Sequence, residues 1–317
     1  MKVYVPSYSS HAGHWIYKGY QDAWKHLGYD IWADKEVDSS GACTMTTPLP
    51  YTAEELQEEY IIMSVDACVV QNSEKFMDAA AKSYKTFVYV QPNRFPHPWG
   101  THPNFISIAP DNVIEQLNKI DNVYLWTFGD DTTSYHNKWK SVHSIPLAFD
   151  SVNYKRSIND KYKKFDICFV GGWANNGFDE KRKIMIDIFS HFKKSELKCA
   201  FAIEKNLSHE QETELISSSR VTLNIHDAYQ RILGTDTNER TFKTLGLNGC
   251  LISDTVGQLN RLFPELETSL DSQEIVEITK QHVQLTDVEL NDIKEKNIQN
   301  ILENHCYTNR VEKLLKL

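Results

Sequence analysis

Asn224-Ile225-His226, followed after a polar loop by Asn238-Glu239-Arg240-Thr241-Phe242-Lys243-Thr244-Leu245-Gly246-Leu247-Asn248-Gly249-Cys250-Leu251-Ile252-Ser253-Asp254, decides how this chain is read. The order is a buried strand, a loose loop, a short helix opening on charged residues, a glycine turn and a second buried strand. In a parallel sheet this order brings a helix N-terminus and two cationic side chains to the cleft above the strands. Free N–H groups and the helix dipole both favour anions there, so a diphosphate suits the place.

Working outward, strand-like runs alternate with helical patterns almost from end to end, which predicts βαβ units and parallel sheets. In the first half, strands are expected near 2–8, 29–33, 65–70, 86–91, 105–109 and 123–128. Helices are expected near 53–63, 73–84 and 110–119, after a first helix whose stripe of Ile16, Tyr20, Ala23, Trp24 and Leu27 ends at Gly28. The pattern pauses around Ile145-Pro146-Leu147-Ala148-Phe149-Asp150, and the lysine-rich stretch 151–164 reads as a linker. It restarts with strands near 165–171, 198–203, 220–225 and 250–253 and helices near 179–193, 208–218, 239–247 and 272–280. The last forty residues read as helical. The expectation is α/β: two Rossmann-like, doubly wound domains over 1–150 and 151–300 facing a cleft, with a helix over 301–317 packing back on the first.

Composition narrows the function classes. With 41% hydrophobic and 24% charged residues the chain is ordinary globular protein. No run of eighteen apolar residues exists, so no membrane span is expected. Met1-Lys2-Val3-Tyr4-Val5-Pro6 is too short for a secretory leader and reads as a first strand, consistent with the cytoplasm. A net charge of −9 argues against a broad phosphate-backbone footprint. The six cysteines are scattered without a CxxC pair, and read as free thiols.

Several positions are candidates for chemistry. Gly171-Gly172-Trp173 follows the first strand of the second half, where glycines let amides approach a phosphate or sugar; a plain flexible turn is the alternative. Neither GxGxxG nor GxxxxGK[ST] is present. Arg240 and Lys243, three apart, face one side of a helical turn. Glu239 is a capping carboxylate or an acceptor for ribose hydroxyls. Asn224 and His226 end a buried strand and are expected at the cleft rim, with a satisfied structural histidine as the other reading. In the first half, Ser10, His11, Gly13 and His14 sit at a strand-to-helix junction, where a histidine tends to stay neutral and can accept a proton, or simply caps and packs. His97 and His102 lie in a Pro-rich loop that suits an acceptor surface; their spacing is not that of a metal site. No Asp-x-Asp and no GxSxG occur.

These residues resemble a known group. The chain looks like a two-domain GT-B glycosyltransferase of the group-1, spore-maturation CgeB-like branch. Pro146-Leu147-Ala148-Phe149-Asp150 resembles the segment closing the first domain, and Phe165-Asp166-Ile167-Cys168-Phe169-Val170-Gly171 the strand and turn opening the second. Leu223-Asn224-Ile225-His226 through Arg240-Thr241-Phe242 to Gly249 resembles the donor-site core. His305-Cys306-Tyr307-Thr308-Asn309-Arg310 resembles the terminal His-x-Tyr-x-x-Arg helix. One departure stands out: many relatives have Glu where Lys243 stands, and that carboxylate commonly holds the donor ribose.

The resemblance implies transfer of a sugar from a nucleoside-diphosphate donor, a UDP-sugar by default, to an acceptor hydroxyl on a glycan, protein, small molecule or modified nucleobase. No cofactor and no metal are implied. Arg240 and Lys243 would stabilise the leaving diphosphate, with Gly13, Gly171, Gly172, Trp173, Asn224, His226, Asn238, Glu239 and Thr241 lining the donor site. His14 or His11 would be the base if the anomeric centre inverts, although the resemblance leans towards retention. Two other readings stay open: a non-catalytic nucleotide-sugar-binding protein of the same fold, and a nucleotide-sugar epimerase.

Overall fold

The computed structural model describes residues 1–5, 11–32, 49, 51–56, 59–65, 69, 73–90, 109–130, 138–173, 180–205 and 207–317, with the backbone alone for 11–14. The chain divides into two compact units, Met1–Pro146 with Tyr307–Leu317, and Leu147–Cys306.

The first unit holds six parallel strands: β1 (Lys2–Tyr4), β2 (Asp30–Trp32), β3 (Tyr60–Val65), β4 (Lys85–Tyr89), β5 (Val123–Thr127) and β6 (His143–Ser144). Their order across the sheet is β2-β1-β3-β4-β5-β6. Helices α1 (His11–His26), α2 (Ser73–Lys82) and α3 (Asp111–Leu117) lie between them in sequence. The expected helix near 53–63 and strand near 65–70 are both corrected. The strand is Tyr60-Ile61-Ile62-Met63-Ser64-Val65, buried at every position. A strand covered on both faces has no alternation to display, and the charged residues before it imitate helical spacing. The expected strand near 105–109 and the loop carrying His97 and His102 lie outside the described residues, as do Cys43 and Cys68.

The second unit is a four-stranded parallel sheet of β7 (Ile167–Gly171), β8 (Cys199–Ile203), β9 (Val221–Asn224) and β10 (Leu251–Ser253), ordered β10-β9-β7-β8. Its helices are α4 (Glu180–Lys194), α5 (His209–Ser218), α6 (Ala228–Leu233), α7 (Glu239–Leu247), α8 (Gly257–Leu262), α9 (Ser272–Gln284) and α10 (Asp287–Asn304). Ile167, Phe169, Leu223 and Ile252 from the strands pack with Met185 and Phe192 of α4 in one core. α4 packs with α9, while α7 packs with α5 and α10. Strand order reverses between β7 and β9, and in open α/β sheets ligands usually sit at the carboxyl ends of the strands at such a reversal.

The expected linker at 151–164 is corrected as well. Tyr154 is buried, and the amides of Ser157 and Asn159 donate to Ser217 Oγ and Ser218 Oγ at the end of α5. Past the second unit, α11 (Tyr307–Leu315) belongs to the first: Arg310 Nε donates to the Pro146 carbonyl at 2.8 Å, and the Tyr307 ring lies 4.8 Å from that of Tyr20 on α1. Among the described residues, Cys168, Cys199, Cys250 and Cys306 are free thiols, and no helix is long and apolar enough to cross a membrane.

Candidate functional site

The site is built at the β7–β9 reversal. Gly171 ends β7, Asn224 ends β9, and α7 begins beyond the short helix α6 that follows β9. Asn238 caps α7: its Oδ1 accepts from the Thr241 amide at 3.2 Å, and its Nδ2 donates to the Ile225 carbonyl at 3.3 Å. The cap ties the start of the helix to the end of the strand. The amides of Glu239 and Arg240 open α7, where helix geometry provides no internal acceptor.

Arg240 crosses the strand ends. Its guanidinium lies 5.0 Å from the Phe169 ring, and Nη1 donates to Asn224 Oδ1 at 3.3 Å and to the Ile225 carbonyl at 3.4 Å. A Cβ built on Gly171 would come within 2.5 Å of Arg240 Nη2. A larger residue there would displace the guanidinium and press on the Phe169 ring, whose Cζ lies 2.9 Å from the same point. Gly172 is exposed, with open space where a Cβ would stand. Trp173 is half-buried beneath the Arg182 guanidinium, 5.5 Å away. Burial lowers the Arg240 pKa, and the carboxylates of Glu239 and Asp227 oppose that effect.

Lys243 goes elsewhere. Its Nζ donates to Glu212 Oε1 of α5 at 2.7 Å and lies 3.9 Å from Glu239 Oε2. Burial alone would lower the ammonium, but Glu239 and Glu212 outweigh it and raise its pKa. Burial raises the Glu239 carboxyl, with Lys243 pulling the other way. Lys243 is thus held between side chains of α5 and α7 rather than beside the Arg240 anchor at the strand ends.

Asn224, His226 and Thr241 are wholly enclosed, not set on an open rim. His226 Nδ1 lies 2.6 Å from Asp254 Oδ1, and Asp254 also accepts from the His226 amide at 3.1 Å. On the other ring edge, Nε2 meets Thr237 Oγ1 at 2.7 Å. Burial raises the Asp254 carboxyl, yet His226 and Arg231 overcome this and hold it below the usual range. The side chains of His11, Gly13 and His14 lie outside the described residues; their backbone forms the first turn of α1.

Sequence reasoning passed over Asp254, Thr237 and Glu212. Asp254 had a readable signal, since a carboxylate directly after a buried parallel strand stands at the strand's carboxyl end. Glu212 had none, because its contact with Lys243 spans 31 residues of chain and exists only once α5 and α7 pack.

The model of a family described as glycosyl transferase-like matches residues 162–316. A search of curated proteins finds no sequence match. Among solved structures the chain is similar to a UDP-forming α,α-trehalose-phosphate synthase from Burkholderia vietnamiensis, with TM-score 0.58 and 9% identity over 99% of this chain and 98% of that one. It is also similar to an α-glucosyltransferase solved with UDP and a 13-mer DNA containing an A:G mismatch (TM-score 0.55, 14% identity, 99% of each chain). A third likeness is to T4 phage BGT solved with its UDP-glucose substrate (TM-score 0.52, 12% identity, all of both chains). The fold is that of the GT-B glycosyltransferases, and the β7–β9 reversal lies within the segment that matches the glycosyl transferase-like family.

Proposed function

We propose that the protein is a glycosyltransferase moving a sugar from a nucleoside-diphosphate donor to an acceptor hydroxyl. The observation that carries this reading is Arg240, half-buried at the β7–β9 reversal beside the opening amides of α7, within the family-matched segment. As the C1–O bond breaks, its electron pair stays on the departing diphosphate, and negative charge grows there. Arg240 and the Glu239 and Arg240 amides supply fixed positive charge at that place, which stabilises the transition state more than the ground state. The acceptor oxygen bonds to C1 and gives up its proton. An inverting reaction passes that proton to a base, and a retaining one passes it to the departing diphosphate oxygen.

Lys243 is assigned a supporting role: anchored by Glu212, its ammonium favours the ionised form of Glu239 and holds it in place, and Glu239 accepts from the donor ribose hydroxyls. This replaces the glutamate that related chains carry at the position of Lys243. A uridine base is favoured by the UDP and UDP-glucose of the similar structures. No divalent metal is required, because Arg240 and the helix amides provide the countercharge.

A thermal-shift screen of nucleoside diphosphates and their sugars tests the reading, followed by donor hydrolysis with the best stabiliser. UDP and a UDP-sugar should stabilise the protein, and excess EDTA should leave hydrolysis unchanged. Indifference to every nucleoside diphosphate would sink the proposal. Stabilisation without hydrolysis or transfer would instead favour a non-catalytic binding protein, the reading that Lys243 in place of glutamate supports.

A further inference from the structure

Arg240 and Asp254 are the two ends of a buried chain of polar groups, and each end permits only one hydrogen-bond polarity. A guanidinium has donors and no acceptor, and an ionised carboxylate has acceptors and no donor. Asn224 must therefore turn Oδ1 to Arg240, leaving Nδ2 to donate to Thr241 Oγ1 at 3.0 Å. Thr241 Oγ1 lies 2.7 Å from Thr237 Oγ1, against 3.4 Å to Asn238 Oδ1, so its proton goes to Thr237. Thr237 then has its own proton for His226 Nε2 at 2.7 Å. The other ring nitrogen, Nδ1, donates to Asp254 at 2.6 Å.

Asn224, His226, Thr237, Thr241 and Asp254 are all fully buried, so reversing a link trades a short bond for a long one or sets donor against donor where water cannot reach. Were His226 Nε2 to carry a proton, Thr237 would have to donate to Thr241. Thr241 would then be left only the longer 3.4 Å bond to Asn238 Oδ1 for its own proton, and the Nε2 proton would face Asn224 Nδ2 at 3.4 Å, donor against donor.

We infer that Asp254, His226, Thr237, Thr241 and Asn224 act as a relay of positioning residues that locks the Arg240 guanidinium over the carboxyl ends of β7 and β9. All five are enclosed by protein and act through Arg240. The relay explains why a histidine sits where no solvent reaches it: its neutral Nδ1–H form joins a carboxylate on one side to an acceptor demand on the other. The inference that the locked guanidinium grips a diphosphate rests on the proposed function; the locking itself does not.

Two measurements separate these. In the unliganded protein, 15N shifts of His226 should show a protonated Nδ1 and a bare Nε2. A protonated Nε2 overturns the relay, and this needs only the wild-type chain. Calorimetric UDP binding should weaken about tenfold in Thr237→Val, recover in Thr237→Ser, and show no further loss when Thr237→Val is added to Arg240→Ala. Wild-type affinity in a folded Thr237→Val protein, or an undiminished loss in the Arg240→Ala background, overturns it. If wild type binds no nucleoside diphosphate, yet His226 shows the expected tautomer and Thr237→Val frees Arg240 Nη rotation, the donor reading falls and the relay stands.

Discussion

Arg240 and Lys243 stand one turn apart on α7 yet face different partners, and the difference sets their expected phenotypes. Arg240 is anchored by carbonyl oxygens and packed on an aromatic ring. Arg240→Ala is expected to lower sugar-transfer turnover by about tenfold or more, while far-UV circular dichroism stays as in wild type. An unchanged rate would remove Arg240 from the site. Lys294 shows the opposite case, a buried cation without a carboxylate paired to it among the described residues. Its Nζ donates to the Ser219 carbonyl at 3.0 Å, and burial pushes its pKa from 10.5 down to about 8. The folded chain thus sheds this proton before the unfolded chain does. The burden of the buried charge is complete below pH 8 and fades as pH rises from about 8 to 10.5. Lys294→Met should therefore gain up to about 3 kcal/mol over wild type at pH 7, with the gain shrinking towards pH 10 in urea titrations. Ser219 keeps a donor in the variant, because Asn248 Nδ2 already reaches its carbonyl at 2.8 Å.

At the scale of elements, the turn after α7 controls how closely α10 approaches the sheet. Gly249 has φ +77°, and a Cβ there would run into the backbone carbonyl of Lys294. Asn297 Nδ2 closes the contact by donating to the Gly249 carbonyl at 2.7 Å. Gly249→Ala combines left-handed strain with overpacking against a helix backbone, and is expected to cost about 2–4 kcal/mol, read as a lower urea midpoint. The sequence showed this glycine as a turn between helix and strand, which is correct as far as local pattern goes. The helix lying on it comes from 45 residues later in the chain, beyond the reach of any window. β3 was misread for a related reason, since a strand buried on both faces and a buried helical segment present the same unbroken apolar run.

Over the whole molecule, the second unit is an insertion between Pro146 and Tyr307 of the first. Tyr307, Val311 and Leu314 of α11 are buried in a unit whose other residues end at Pro146. Ending the chain after Cys306 withdraws these side chains, a loss on the order of 5 kcal/mol of apolar burial. The thermal midpoint of the first unit should fall by about 10 °C or more. Tryptophan emission should shift to the red, because Trp173 is the sole tryptophan after residue 146 and Trp126 lies against the Tyr20 ring that Tyr307 packs on. Unaltered emission and melting would show that α11 contributes nothing to that unit.

Sequence alone determined the alternation of strands and helices, the parallel α/β class, and Arg240 at the head of a helix after a buried strand. These follow from local periodicity and from the chemistry of helix ends, which act within a few residues. Tertiary structure decided which charged groups are free to meet a ligand. It paired Lys243 with Glu212, enclosed His226 between Asp254 and Thr237, and filled the space above Gly171 with the Arg240 side chain. Partners of that kind are chosen by packing and burial across distant segments, because a buried polar group takes whatever donor or acceptor the fold brings within about 3 Å.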